Sequence, residues 1–218
     1  MYRATATIVL ILALTGCGMV PERKRQPSRT ATQTYNPSPS ARQCLAELGK
    51  SNASFTPLPD QYYGGGCSTL NTVRLSAIYG DEKSLPVANL GPVACPLANT
   101  FAAWARYGVD RAARQILGSG LARIETMGSY SCRNVAGTGR RSAHATANAI
   151  DVGAFILEDG RRISLINGWN NGTSQERRFL RVVHQSACKR FGTVLGPDYN
   201  SAHRDHFHLE TSGQSFCR

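Results

Sequence analysis

Apolar residues recur at two different spacings along this chain, and each spacing predicts its own kind of element. Residues 72–78, Thr-Val-Arg-Leu-Ser-Ala-Ile, alternate and predict a strand. Residues 121–127 alternate more weakly and predict another. Stretches 149–157 and 161–166 flank Glu158-Asp-Gly160, a turn sequence that joins them into a hairpin. Residues 206–211 predict a last strand. Phe179, Val182, Val183 and Ala187 follow helical spacing and predict a helix over 175–190, capped by Ser174 and ended by Gly192. Pro96 suits the first turn of a helix reaching about residue 107, with Phe101, Trp104 and Ala105 on its apolar face, and a second helix follows over 110–117. Ser40 opens a short helix over 41–48 that Gly49 stops, and Gly64-Gly-Gly66 marks a loop. Hairpin-joined strands with helices grouped between them predict an α+β domain, an antiparallel sheet flanked by helices.

The pattern changes before residue 41. Ile8-Val-Leu-Ile-Leu-Ala-Leu14 is continuously apolar and follows Arg3. It is too short to span a bilayer as a stable helix and suits the core of a signal peptide over residues 1–16. Residues 17–40 are rich in Pro, Ser, Thr, Gln and Arg, with few large apolar side chains, and predict a disordered tether. Residues 41–218 then make one folded domain without internal repeats. Leu14-Thr-Gly-Cys17 resembles the bacterial lipobox. That resemblance implies cleavage before Cys17, a lipid on its thiol, and a periplasm-facing lipoprotein anchored to a membrane of the cell envelope.

Charge and cysteine content narrow the setting. The formal net charge is +11 at pH 7. An exported basic protein rarely meets nucleic acid, so anionic lipid headgroups or wall carboxylates are the expected partners. Arg23-Lys-Arg25 and Arg29 suit either an anionic membrane surface or a solvated linker. Beyond Cys17 stand Cys44, Cys67, Cys95, Cys132, Cys188 and Cys217, an even set that reads as disulfides in an oxidising compartment. Sequence alone does not choose the pairing; the sequential one, 44–67, 95–132 and 188–217, is the expectation. A monomer is expected.

The chemistry concentrates in two runs, Ser142-Ala-His-Ala-Thr-Ala-Asn-Ala-Ile-Asp151 and His203-Arg-Asp-His-Phe-His208. His206 and His208 lie two apart and leave one face of a strand, while Phe207 and Leu209 enter the core. Asp151 alternates against Ile150 and Val152 in the same way. A carboxylate inside an apolar strand costs several kcal/mol unless it is paired or metal-bound. Its alternatives are an ion pair with Arg133 or Arg140, or a site with His144 and His208 holding one Zn²⁺ with a position left for water. Ser142 has a plain alternative as a turn cap. A Ser-His-Asp triad is conceivable from these residue types, but no Gly-x-Ser-x-Gly elbow is present.

Ser142-x-His144-x-x-Ala147-x-Ala149-x-Asp151 resembles the Ser-x-His-x-x-Gly-x-Ala-x-Asp signature of the D-Ala-D-Ala carboxypeptidase and dipeptidase zinc peptidases. Asp205-x-x-His208 is similar to their second motif, and His206-x-His208 matches the His-x-His of the penicillin-insensitive murein endopeptidases. Over residues 95–217 the combination is most similar to the bacterial extensin-like C-terminal domain family, with Gly128-Ser-Tyr-Ser-Cys-Arg133 and Phe191-Gly-Thr-Val-Leu-Gly-Pro-Asp198 as further matches. The resemblance implies a D-Ala-D-Ala carboxypeptidase/hedgehog-like fold. It implies zinc on His144, Asp151 and His208, with Asp205 as general base. His206 would line the site and stabilise the transition state, and Arg133 would bind substrate or the developing oxyanion. The implied activity is hydrolysis of peptidoglycan stem or cross-link peptides. The alternative is a non-catalytic wall-binding or structural lipoprotein that keeps the His/Asp site. Ala147 departs from the signature, which has Gly there.

Overall fold

The computed structural model describes residues 37–211 and 215–218. The expected signal peptide, the lipidated Cys17 and most of the tether lie outside the described residues. Helix α1 (Pro39–Lys50) begins earlier than expected, because Ser38 and not Ser40 caps it by accepting from the Ala41 amide. Pro39 occupies the first helical turn, where its missing N–H leaves nothing unsatisfied. Strands β1 (Ser54–Pro57), β2 (Gln61–Gly64), β3 (Cys67–Thr69), β4 (Thr72–Tyr79), β5 (Ser84–Ala88) and β6 (Pro92–Ala94) follow. Of these only β4 is long enough to show its alternation in the sequence.

Helix α2 (Cys95–Trp104) continues through two wide π-type turns, Ala105–Asp110 and Ala113–Leu117, and ends at left-handed Gly118. The two helices expected here are thus one bent run. Asp110 lies in its middle, buried, where it accepts the backbone amides of Asp81 and Leu121. Strands β7 (Leu121–Gly128) and β8 (Ala149–Leu157) match expectation, and β9 (Arg162–Ser164) closes the hairpin. The expected strand over 161–166 ends early, because Leu165, Gly168 and Trp169 bury a helical face in α3 (Leu165–Asn171). Helix α4 (Ser174–Cys188) is capped one residue earlier than expected, by Thr173, which forms a reciprocal capping box with Glu176. Strands β10 (Thr193–Leu195), β11 (Phe207–Glu210) and β12 (Phe216–Cys217) complete the chain.

Among the described residues, ten strands form one sheet along the path β1-β4-β5-β7-β8-β11-β10-β12, with β6 beside β4 and β9 beside β8. Pairing is antiparallel except at β5–β7 and β10–β12. Strands β2 and β3 make a separate ribbon. A mixed α+β architecture with a mostly antiparallel sheet is therefore present. Ile150, Val152 and Ala154 of β8 are fully buried, whereas Asp151 and Gly153 on the alternate face remain partly exposed. Trp104 sits at the centre of the core, its ring against Phe101, Phe155 and Phe191 and its indole N–H donating to the Val183 carbonyl at 3.2 Å. Burial of a Phe-sized side chain contributes about 1.5–3 kcal/mol, so this aromatic cluster fastens α2 and α4 onto the sheet. No helix among the described residues is long and apolar enough to cross a membrane.

The disulfides correct the expected pairing at two of three bonds. Cys44 pairs with Cys95, Cys67 with Cys132, and Cys188 with Cys217. Packing of α1 on the start of α2 brings Cys44 to Cys95, 51 residues away. Cys67 then meets Cys132 beyond β7. Tertiary neighbours decide these pairs, not neighbours in sequence.

Candidate metal centre

The site begins with strand register. Strands β8 and β11 pair antiparallel with Asp151 directly opposite His208, so both side chains leave the same face. Phe207 and Leu209 are fully buried on the other face, as the alternation predicts. His144 enters from a short 3-10 turn, Ala143–Thr146, at whose start the Ser142 hydroxyl accepts from the His144 amide. Ala147 ends that turn at φ 54°, in the left-handed region. The departure from glycine therefore falls where the backbone needs a conformation that alanine disfavours. The turn is held from both sides: the Ala147 carbonyl accepts the Ala94 amide at 2.9 Å and the Ser129 hydroxyl at 3.3 Å.

These elements bring His144, Asp151 and His208 together. His144 Nε2 lies 3.2 Å from His208 Nδ1. The Asp151 carboxylate spans them, with one oxygen 3.1 Å from His144 Nε2 and the other 2.9 Å from His208 Nδ1. His144 and His208 are 3% and 5% exposed. The ion pair of Asp151 with Arg133 or Arg140 is not formed; the imidazoles take that place. Burial opposes the charge of Asp151, but hydrogen bonds from His144 and His208 hold its carboxyl well below the usual carboxylate range. Burial likewise opposes charging His208, yet hydrogen bonds to Asp151 and Glu210 push it up to about 9.

The outer nitrogens of both rings are already engaged. His144 Nδ1 donates to the Ser129 carbonyl, and His208 Nε2 donates to Glu210 Oε1 at 2.7 Å. In the neutral rings, His144 Nε2 and His208 Nδ1 are then bare lone pairs facing one another. Such an arrangement requires a cation between them, either a proton or a metal. Two ligand atoms on one tetrahedral zinc lie about 3.3 Å apart, close to the separation seen here. The donor set, two imidazoles and a carboxylate with their outer nitrogens fixed, fits a divalent metal such as zinc. Among the described residues a second group, His184 with Cys188 and Cys217, also lies close enough, but its sulfurs are spent in a disulfide.

The remaining expected residues sit around this centre. His206 precedes β11 and turns its Nε2 to 3.7 Å from Asp151, while its Nδ1 donates to Asp205 at 2.8 Å. Asp205 lines a smaller neighbouring cleft with Met127 and Arg162 and reaches the His/Asp cluster through His206. Asp151, His206 and His208 open onto a cleft of about 880 Å³. Arg133 and Arg140 line one wall, Tyr199, His203 and Phe216 another. Sequence reasoning left three contributors unassigned. Glu210 carried a signal, since it follows His208 by two residues on the same strand face. His203, stacked on His206 at 5.1 Å and pushed down to about 4 by burial and the neighbouring histidines, lay within the quoted motif. The Ser129 carbonyl had no side-chain signal at all.

A sheet-borne His/Asp centre in an oxidised α+β domain thus defines the class of molecule. The family model for the extensin-like protein C-terminus matches residues 42–218, and the chain belongs to that family. No curated protein and no solved structure matches it.

Proposed function

We propose that this protein is a zinc-dependent hydrolase of peptidoglycan stem or cross-link peptides, of the D,D-carboxypeptidase or endopeptidase type. On this reading the lipid on Cys17 anchors it in the cell envelope, facing the periplasm. One observation supports the metal part: His144 Nε2 and His208 Nδ1 converge to 3.2 Å beside the Asp151 carboxylate, with Ser129 and Glu210 fixing the rings from behind. The motif resemblance to the D-Ala-D-Ala carboxypeptidase zinc peptidases supports the peptidase part.

Zinc bound by His144, Asp151 and His208 supplies Lewis acidity for polarising a carbonyl and acidifying water at neutral pH. The chain's own groups do the rest. Asp205 holds His206 through Nδ1–H, so Nε2 is left as a proton acceptor toward the cleft. The pair takes over the general-base role expected of Asp205 alone: Nε2 accepts a proton from the attacking water and returns it to the leaving amine. Arg133 and Arg140 place positive charge along the wall, suited to peptide carboxylates and a developing oxyanion.

The test uses the full chain in detergent, with bound metal quantified and cross-linked muropeptides digested with and without chelator. Chelator-sensitive products, lost in Asp151→Asn and His206→Ala, are expected. Cleavage indifferent to chelation and to both substitutions would refute the mechanism. A second reading draws on the raised His208, because a proton held between Asp151 and Glu210 also satisfies the cluster. A metal-free binding or structural lipoprotein would then purify without zinc and retain muropeptides uncut.

A further inference from the structure

We infer that the Cys67–Cys132 disulfide is a positioning device for His144, setting the ring's aim and not only the stability of the fold. Residues 129–133 wrap the turn that carries His144. The Ser129 carbonyl accepts His144 Nδ1–H, the Ser131 amide donates to the His144 carbonyl at 3.0 Å, and the Arg133 carbonyl accepts the Ser142 amide at 3.1 Å. The start of the wrap is tied to the β5–β6 connection by the Ser129 amide on the Leu90 carbonyl. Its far end is tied by Cys132 to buried Cys67 of β3, a strand that itself packs against the His144 turn. Arg141 adds a lesser tie, donating to the Gly65 carbonyl and to Asn134 Oδ1. Cys67–Cys132 thus closes a ring of contacts around one imidazole. Cys188–Cys217 joins α4 to β12, and neither half of it enters that ring of contacts.

The zinc half of this inference rests on the function proposed above; the ring orientation does not. The experiment compares Cys67→Ala/Cys132→Ala with Cys188→Ala/Cys217→Ala in the full chain. Two quantities are read: the exchange-protected His144 Nδ1–H resonance in metal-free protein, and zinc affinity by chelator competition. Loss of the resonance in the first variant alone, with zinc affinity lower by about tenfold or more, is expected. If wild type binds no zinc yet the resonance still responds selectively, the positioning stands and the zinc reading falls. Equal effects of both variants on the resonance, or none from the first, overturn the inference. Should the first variant fail to fold, Arg141→Ala decides: it must weaken the same resonance, and an unchanged signal overturns the inference.

Discussion

Glu210 stands two residues beyond His208 on β11 and accepts its Nε2–H at 2.7 Å, leaving Nδ1 aimed at Asp151 and His144. The strand repeat alone puts the carboxylate on the face of His208. A carboxylate behind a ligating imidazole fixes its tautomer and raises its basicity. On the proposed zinc reading, Glu210→Gln is expected to lower zinc affinity about 10–100-fold and, by removing one of the two partners that raise His208, to lower the unfolding temperature of the metal-free protein at neutral pH. Isothermal titration against a chelator checks it, and unchanged affinity removes Glu210 from the site.

If His208 ligates zinc as proposed, protons and the metal compete for it. Its folded value is raised from 6.5 to about 9, so the stabilisation it gives the metal-free fold is fully present below pH 6.5. That contribution is lost as pH rises through about 9. On the proposed zinc reading, metal binding at neutral pH is expected to expel about one proton, and apparent affinity to climb about tenfold per pH unit up to that value. Calorimetry in buffers of different ionisation enthalpy measures the proton count. Affinity independent of pH between 6.5 and 8.5 would exclude His208 as a ligand.

Ala147 holds a left-handed conformation while fully buried. Glycine there relieves about 1 kcal/mol of backbone strain but frees the unfolded chain by about 0.4–1 kcal/mol. Ala147→Gly is therefore expected to unfold in urea within about 1 kcal/mol of wild type. Ala147→Val adds a branched side chain to the same tight turn and should cost at least about 2 kcal/mol. Equal tolerance of both would show that the turn relaxes.

His184 sits between the rings of Trp169 and Phe207 and is held neutral chiefly by burial, its pKa below the ordinary histidine value. The unfolded chain then binds more protons as pH falls below about 6.5, so stability drops on acidification from that point. His203 acts in the same sense, down to about 4. His184→Gln is expected to flatten the decline that begins below about pH 6.5. Denaturation midpoints across that decline give the comparison, and an identical slope would contradict it.

Much of the scaffold around the centre was legible from periodicity. Strands β4, β7 and β8 and helix α4 emerged where they were long enough for their repeat to show, and Asp151, flanked by Ile150 and Val152, betrayed a buried carboxylate needing partners. The three-residue strands β3, β6 and β10 carry too few positions for a repeat and exist only because neighbours supply their hydrogen bonds. Helix α3 was masked because Leu165 and Trp169 serve a helix face directly after a strand.

By itself the sequence determined which polar side chains share a face of each long strand, because alternation is a local property of the backbone. It also marked Ala147 as the odd position in its motif. Only the tertiary structure decided that Cys44 joins Cys95, that Asp205 sits behind His206, and that the Ser129 carbonyl holds His144. Those outcomes depend on which segments pack together, and that choice is made by the burial of the whole core around Trp104, beyond the reach of any single stretch of chain.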